Sequence, residues 1–298
     1  MTPKALFIVI DGIPADVIER VATPHIDSIA AVGAYGRASV GGPPGTAAET
    51  PTSSAPGYMS LVTGTWADKH RVRSNYDLEP NHTVWNLFRL AKAANPQLAI
   101  GIFSTWTDNR TVLLNAGDQP SADLAFDFIA DGFELDEGRF PPTEDSAHIL
   151  AIDREVAARA ANTIADHGPD LSWVYWQFTD DVAHLHGDSP EFDRAVKHMD
   201  ELVGVVWRAI RERQQRSGED WLVLVTTDHG RDADTGREHG GQSQRERTTW
   251  IATNSQRLTP RFLQQPPIVD IYPSIATHLG LSVPPQVARQ LDGEAFIQ

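Results

Sequence analysis

At 298 residues, 41% hydrophobic and 22% charged, the chain has the make-up of a soluble globular protein long enough to bury a large core in one elaborated domain spanning 1–298. Its 25 Lys and Arg stand against 40 Asp and Glu, a formal charge of −15 that argues against a long nucleic acid as partner but allows a small anion at a local positive centre. The absence of cysteine removes disulfides, thiolate metal ligands and a thiol nucleophile.

In chain order, "ALFIVI" (5–10) comes first; it is too short to cross a membrane, stops at Asp11 and reads as a buried strand. No charged leader with a cleavage site precedes it, so the expectation is a cytoplasmic chain with no membrane partner, or a periplasmic one whose leader has been removed. "TPHIDSIAAVG" (23–33) predicts a helix with a Thr cap and Pro in its first turn, stopping at Gly33. "TPTSSAPGYMSLVTG" (50–64) predicts a hydroxyl-rich loop leading into a helix through "YMSLV" that begins near Ser54. "TVWNLFRLAKAANP" (83–96) predicts a helix ended by proline, and "LAIGIFS" (98–104) a second strand. Residues 106–150, rich in acid, Gly and Pro, break the rhythm and predict an inserted cap over one end of the sheet. The helix "DREVAARAANTIADHG" (153–168), the strand "LSWVYWQF" (171–178), a long helix over 189–218 and the strand "DWLVLVTT" (220–227) follow. Apolar strands alternating with amphipathic helices specify an α/β fold, a largely parallel central sheet with helices on both faces.

In such folds ligands sit at the carboxyl ends of the strands, and here those ends carry metal-ligand residue types. Asp11 follows the first strand; Asp180, Asp181 and His184 follow "WVYWQF"; Asp228 and His229 follow "WLVLVTT"; His239 comes shortly after. An Asp after a strand is commonly a turn or helix cap, and a lone His is commonly structural, but these deliveries converge on one end of one sheet. Asp180 and His184, four apart, share one face of a helical turn, while Asp181 and His186 point elsewhere. Oxygen and imidazole ligands without sulfur suit Zn2+, with Mn2+ or Mg2+ as substitutes. The candidate positions exceed what one tetrahedral ion takes, which implies two ions, and a pair about 3.5–4 Å apart clamps the attacking and leaving oxygens of a phosphoryl transfer.

The motifs "IVIDG", "ATPHIDSIAAVGAYGRA", "PTSSAPGYMSLVTGTWADKHRVRSN", "DDVAHLHG", "TTDHG", "EHGG", "IVDIYPSIATHLGL" and "LDG", in this order, resemble the alkaline phosphatase superfamily, and within it the nucleotide pyrophosphatase/phosphodiesterase branch. The resemblance runs over almost the whole chain outside the insertion. It implies that Asp180, His184 and His239 hold one zinc and that Asp11, Asp228 and His229 hold the other, which also binds the oxygen of Ser54. Ser54, placed by Pro56 and by Thr63-Gly64, takes the nucleophile's position, and Asn75 matches the asparagine that donates to a phosphoryl oxygen. A serine held by such an ion becomes a nucleophile near neutral pH, and a helix starting at Ser54 would turn backbone N–H groups toward a phosphate; Thr50, Thr52 and Ser53 read as loop.

The function so implied is two-metal hydrolysis of a small phosphate ester, a phosphodiesterase or nucleotide pyrophosphatase working through a phosphoserine intermediate. Departures from the branch are Gly57-Tyr58, where Asn-His is usual, and Ala183, where glycine is usual. A phosphomonoesterase or phosphonate hydrolase of the same superfamily is the alternative. A sulfatase is disfavoured by Tyr58 and Gly12, and an inactive binding module by the complete ligand set. Lys69, Arg71 and Arg73 read as a solvated basic turn, and Trp66, Trp106 and Tyr76 as core aromatics or a platform for a base.

Overall fold

The computed structural model describes residues 1–117 and 124–298; the stretch 118–123 of the predicted cap lies outside the described residues. Its sheet is built from β1 (Pro3–Ile10), β2 (Ala34–Ser39), β3 (Ile100–Ser104), β4 (Phe128–Ala130), β5 (Leu171–Trp176), β6 (Asp220–Thr226) and β7 (Thr248–Thr253), in the order β2-β7-β6-β1-β5-β3-β4. All pairs are parallel except those of β7, which runs antiparallel to β2 and β6.

β1 lies at the centre because both its faces are apolar. Leu6, Ile8 and Ile10 enter one core with the helices Ala147–Asp166 and Pro190–Ser217. Ala5, Phe7 and Val9 enter the other with the helices Ser54–Thr63, Leu87–Ala94 and Ile271–His278. This period-two division over a continuous apolar run is what a doubly covered parallel strand requires. The register Ile10↔Trp176 and Val9↔Thr226 brings the carboxyl ends of β1, β5 and β6 level, so the residues that follow them meet.

The four strands expected from apolar runs are present, and three more were not visible as such runs. β2 alternates between half-buried and exposed positions up to Arg37 and buries only Ala38, β4 has only three residues, and β7 ("TTWIAT") is largely threonine and alanine. The helix at 23–33 spans Pro24–Ala30, but the Thr23 side chain does not cap it. The Asp200 carboxylate, from the long helix, accepts from His25 N at 3.1 Å and Ile26 N at 2.8 Å instead. The 106–150 segment is more than a cap, because β4 adds to the sheet beside β3 and the following helix begins at Ala147, inside the expected boundary.

That helix also secures the turn after β5. Fully buried Asp153 accepts from Thr105 Oγ1 at 2.5 Å, from Gln177 N at 3.2 Å and from Phe178 N at 2.9 Å, which anchors the start of the helix Phe178–His186. Burial pushes its carboxyl up to about 7 although these bonds oppose the rise. A carboxyl raised in the folded state stabilises below its unfolded value and loses that contribution as pH climbs through the folded one. Asp153→Asn removes the titration, so the melting temperature of the variant relative to wild type is expected to rise between about pH 4.5 and about pH 8. A difference independent of pH would contradict this assignment.

Candidate metal centre

Asp11, Asp228 and His229 form a wholly buried group at the ends of β1 and β6. Each has one polar atom pinned by the protein. Asp11 Oδ2 accepts from the hydroxyls of Tyr58 and, at 2.7 Å, Tyr175. Asp228 Oδ1 accepts from Gly12 N at 3.1 Å. His229 Nδ1 lies 2.9 Å from Gly230 O and, since a carbonyl only accepts, carries the proton. The other atoms turn inward: Asp11 Oδ1 and Asp228 Oδ2 lie 3.2 and 3.4 Å from His229 Nε2. Neither oxygen has a hydrogen-bond partner among the described residues, although both are buried.

Asp180, His184 and His239 form the second group. Asp180 and His184 stand one turn apart on the helix Phe178–His186, and His239 arrives on the loop after β6. His184 Nε2 is 3.3 Å from Asp180 Oδ2 and 3.1 Å from His239 Nε2, and His239 Nε2 is 3.6 Å from Asp180 Oδ1. The His229 and His239 rings stack at 3.9 Å, so the groups adjoin. As expected, Asp181 turns away, accepting from Gln177 Nε2 at 2.9 Å and Ser146 Oγ at 3.4 Å.

Both donor sets fit a cation. A tetrahedral site with bonds of about 2.0–2.2 Å has edges of about 3.3–3.6 Å, close to the separations within each group. Electrostatics point the same way. Burial, and then the charge of Asp11, push the Asp228 carboxyl well above its usual range. Burial would lower His229, yet Asp228 and Asp11 raise it to about 9. Burial and the neighbouring His229 lower His239 to about 2, keeping it neutral and able to ligate. Asp180 would be raised by burial, but Arg231 and the His184 hydrogen bond hold it well below the carboxylate range.

The helix Ser54–Thr63 begins at Ser54, as its sequence predicts. Ser54 Oγ is 3.5 Å from His229 Nε2 and accepts from Asn75 Nδ2 at 3.3 Å. The backbone donors at this helix start are fewer than expected: Ala55 N is bonded to Asn75 Oδ1 at 2.9 Å, Pro56 has no N–H, and Gly57 N bonds Ser53 O at 2.9 Å, so the donors beside Ser54 Oγ are Asn75 Nδ2 and the N–H of Ser54 itself. Thr52 has a structural part: its hydroxyl donates to Gly241 O at 2.7 Å and accepts from Gly240 N at 3.1 Å, tying the serine loop to the His239 loop.

Ser54, Asn75, Asp11 and Asp180 open on a cavity of about 360 Å³ whose far wall includes Trp106, Glu134 and Ile149 from the 106–150 segment. The basic turn stays out of it. Arg73 donates to Glu49 O and Ala47 O, and Lys69 pairs with Asp292. Tyr76 also lines the cavity, and it is exposed rather than core.

Sequence reasoning missed four residues of this centre. Tyr58 and Tyr175 hold Asp11; a tyrosine within a buried apolar strand needs a hydroxyl partner, and that was the available signal for Tyr175. Gly57 lets the helix close on Asp228, since a Cβ there would lie 2.8 Å from Asp228 O. Arg231, fully buried, reaches Asp180.

The sequence matches the family described as type I phosphodiesterase/nucleotide pyrophosphatase over residues 5–275. No curated protein matches it. Among solved structures it is similar to murine ectonucleotide pyrophosphatase/phosphodiesterase 5, an inactive form in complex with AMP, at 15% identity and TM-score 0.67, covering 95% of this chain and 96% of that one. It is also similar to the phosphonate monoester hydrolase of Silicibacter pomeroyi, at 15% identity, TM-score 0.64 and coverage of 99% and 76%. A 2-O GAG sulfatase gives 15% identity, TM-score 0.67 and coverage of 100% and 76%. At these identities the likeness establishes the shared fold.

Zinc added to chelator-treated protein is expected to raise the melting temperature by linkage. Asp228→Asn should remove most of the rise and His184→Ala a smaller part, because the first group offers two buried carboxylates and the second a single one already paired with Arg231. No rise in wild type would contradict ion binding here.

Proposed function

The chain belongs to the type I phosphodiesterase/nucleotide pyrophosphatase family, and from that premise we propose a two-zinc phosphodiesterase that works through a phosphoserine on Ser54. The family is metal-dependent, and membership makes the protein a phosphoric ester hydrolase. The observation that carries the finer reading is the position of Ser54 Oγ, against one three-ligand group and opening on the same cavity as the other.

In this reading Asp11, Asp228 and His229 hold one ion and Asp180, His184 and His239 the second. Bound there, two divalent ions would lower the pKa of the serine hydroxyl and neutralise charge on the departing oxygen. Ser54 Oγ attacks phosphorus in line, its P–O bond forming as the bond to the leaving oxygen breaks. The leaving group departs with a proton. Water then attacks the phosphoserine, the P–Oγ bond breaks, and Oγ regains its proton. Asn75, fixed by its bond to Ala55 N, donates from Nδ2 to a non-bridging oxygen as charge builds there. Tyr58 and Tyr175 keep Asp11 turned toward the ion while its other oxygen stays satisfied.

The cavity favours a diester over a monoester. A monoester dianion carries one more negative oxygen, which calls for an arginine or a cation additional to the two ions, and among the described residues that line the cavity there is no Lys or Arg; the side-chain donor beside Ser54 is the neutral amide of Asn75. Trp106 and Tyr76 on the same cavity offer stacking surface for a nucleoside-like substituent, in keeping with the AMP bound by the murine relative. The second reading is a phosphonate or phosphate monoester hydrolase, favoured by the likeness to the Silicibacter pomeroyi enzyme.

Ser54→Ala is expected to lower kcat by about a thousandfold or more while zinc content and melting temperature stay near wild type. Ser53→Ala should be mild. Retained turnover in the Ser54 variant would remove the phosphoserine pathway. Substrate class is tested by kcat/KM for an aryl nucleotide diester against the matching aryl phosphate monoester. The diester should win, and a monoester preference of about tenfold, about 1.4 kcal/mol in transition-state stabilisation, would overturn the diesterase assignment.

A further inference from the structure

Arg231 follows His229 by two residues, and its side chain is wholly buried. The sequence offers no helical or strand period to explain a charge there. Its guanidinium binds three segments at once. Nε donates to Gly12 O at 3.2 Å, Nη1 to Arg237 O at 2.8 Å, and Nη2 both to Asp180 O at 3.1 Å and to the Asp180 carboxylate through Oδ1. Gly12 adjoins Asp11, Asp180 is itself a candidate ligand, and Arg237 lies on the loop that carries His239. The backbone is shaped to admit the group: Gly12 has φ of +67°, and a Cβ on it would sit 2.6 Å from Nη2.

Burying a guanidinium is costly unless its charge is paired and its N–H groups are bonded, and both conditions are met here by a single carboxylate and three carbonyls. Arg231 does not line the cavity beside Ser54, so a substrate phosphate is not its partner. It takes Asp180 Oδ1, leaving Oδ2 toward His184 Nε2 at 3.3 Å. We propose that Arg231 is the positioning residue of the Asp180/His184/His239 group: it fixes which oxygen of Asp180 is offered and the distance between the elements that bring Asp180 and His239 together. This rests on the two-ion reading above. The planar fork is what the role requires, because it reaches three segments from one rigid group, which a lysine ammonium on a flexible stem does not do.

The test is zinc binding by equilibrium dialysis with elemental analysis on wild type, Arg231→Lys and Arg231→Gln, with kcat and KM measured at limiting and at excess zinc. Wild type should bind two ions. Both variants should hold one with unchanged affinity and the other at least about tenfold more weakly. Their kcat should fall at limiting zinc and recover substantially in excess, with KM for the diester little changed. Failure of Arg231→Lys alongside Arg231→Gln is part of the expectation, since charge alone is not the function. Unchanged binding of both ions, or tighter binding of the second in Arg231→Gln, would overturn the proposal. So would loss of both ions together with a collapsed melting temperature, or failure of both variants to fold in excess zinc, because Arg231 would then be a general staple. A wild type that binds no ion would instead remove the two-ion reading, a distinct result.

Discussion

Two carboxylates that share a buried space cannot both stay ionised without a positive partner, and Asp11 and Asp228 are held in that situation. Their outer oxygens are satisfied by tyrosine hydroxyls and by Gly12 N, and their inner oxygens are left bare around one imidazole nitrogen. Much of the surrounding architecture follows from maintaining that arrangement. The level ends of β1 and β6 bring the carboxylates together, and Gly57 allows the serine helix to close against Asp228 from the other side. A protein selected only for stability would replace such a site with apolar packing, so its retention argues for chemistry.

The two halves of the centre are supported differently. Around Asp11 the supporting groups are neutral hydroxyls, whereas around Asp180 the support is a full positive charge on Arg231. The first half is buried at the floor of the cavity; the second lies at the rim, where the His184 side chain remains 39% exposed. On the proposed reading, a deep half beside Ser54 and a shallow half open to leaving group and water would suit an in-line displacement, in which one oxygen stays with the protein and the other departs.

Sequence reasoning picked out the residues of the two candidate groups because Asp11, Asp228 and His229 follow apolar strands and Asp180 and His184 repeat at helical spacing; His239 and the division into two groups came from the resemblance to the family. It reached Ser54 through its distance from Pro56 and Thr63-Gly64. It did not reach Tyr58, Gly57 or Arg231, whose roles come from contacts between segments distant in sequence and leave no periodic trace. The same limit explains the missed strands: β7 gains its place between β6 and β2, β2 at the edge by pairing with β7, and β4 by pairing with β3, not from hydrophobic runs of their own. The Thr23 cap failed for a related reason, since a carboxylate from the long helix satisfies the N–H groups that a local hydroxyl would have taken.

The Thr52 hydroxyl, bonded to both Gly240 and Gly241, fastens the strand of chain before the nucleophile to the loop that carries His239. Two segments joined in this way are mechanically linked, so on the two-ion reading occupancy of the outer half and the placing of Ser54 would share a free energy. By reciprocity, whatever tightens one tightens the other. If Ser54 carries a phosphoryl group in turnover, as proposed, that group would slow the escape of an outer ion, and the resting protein, with nothing on Ser54, would be the state most readily stripped of it.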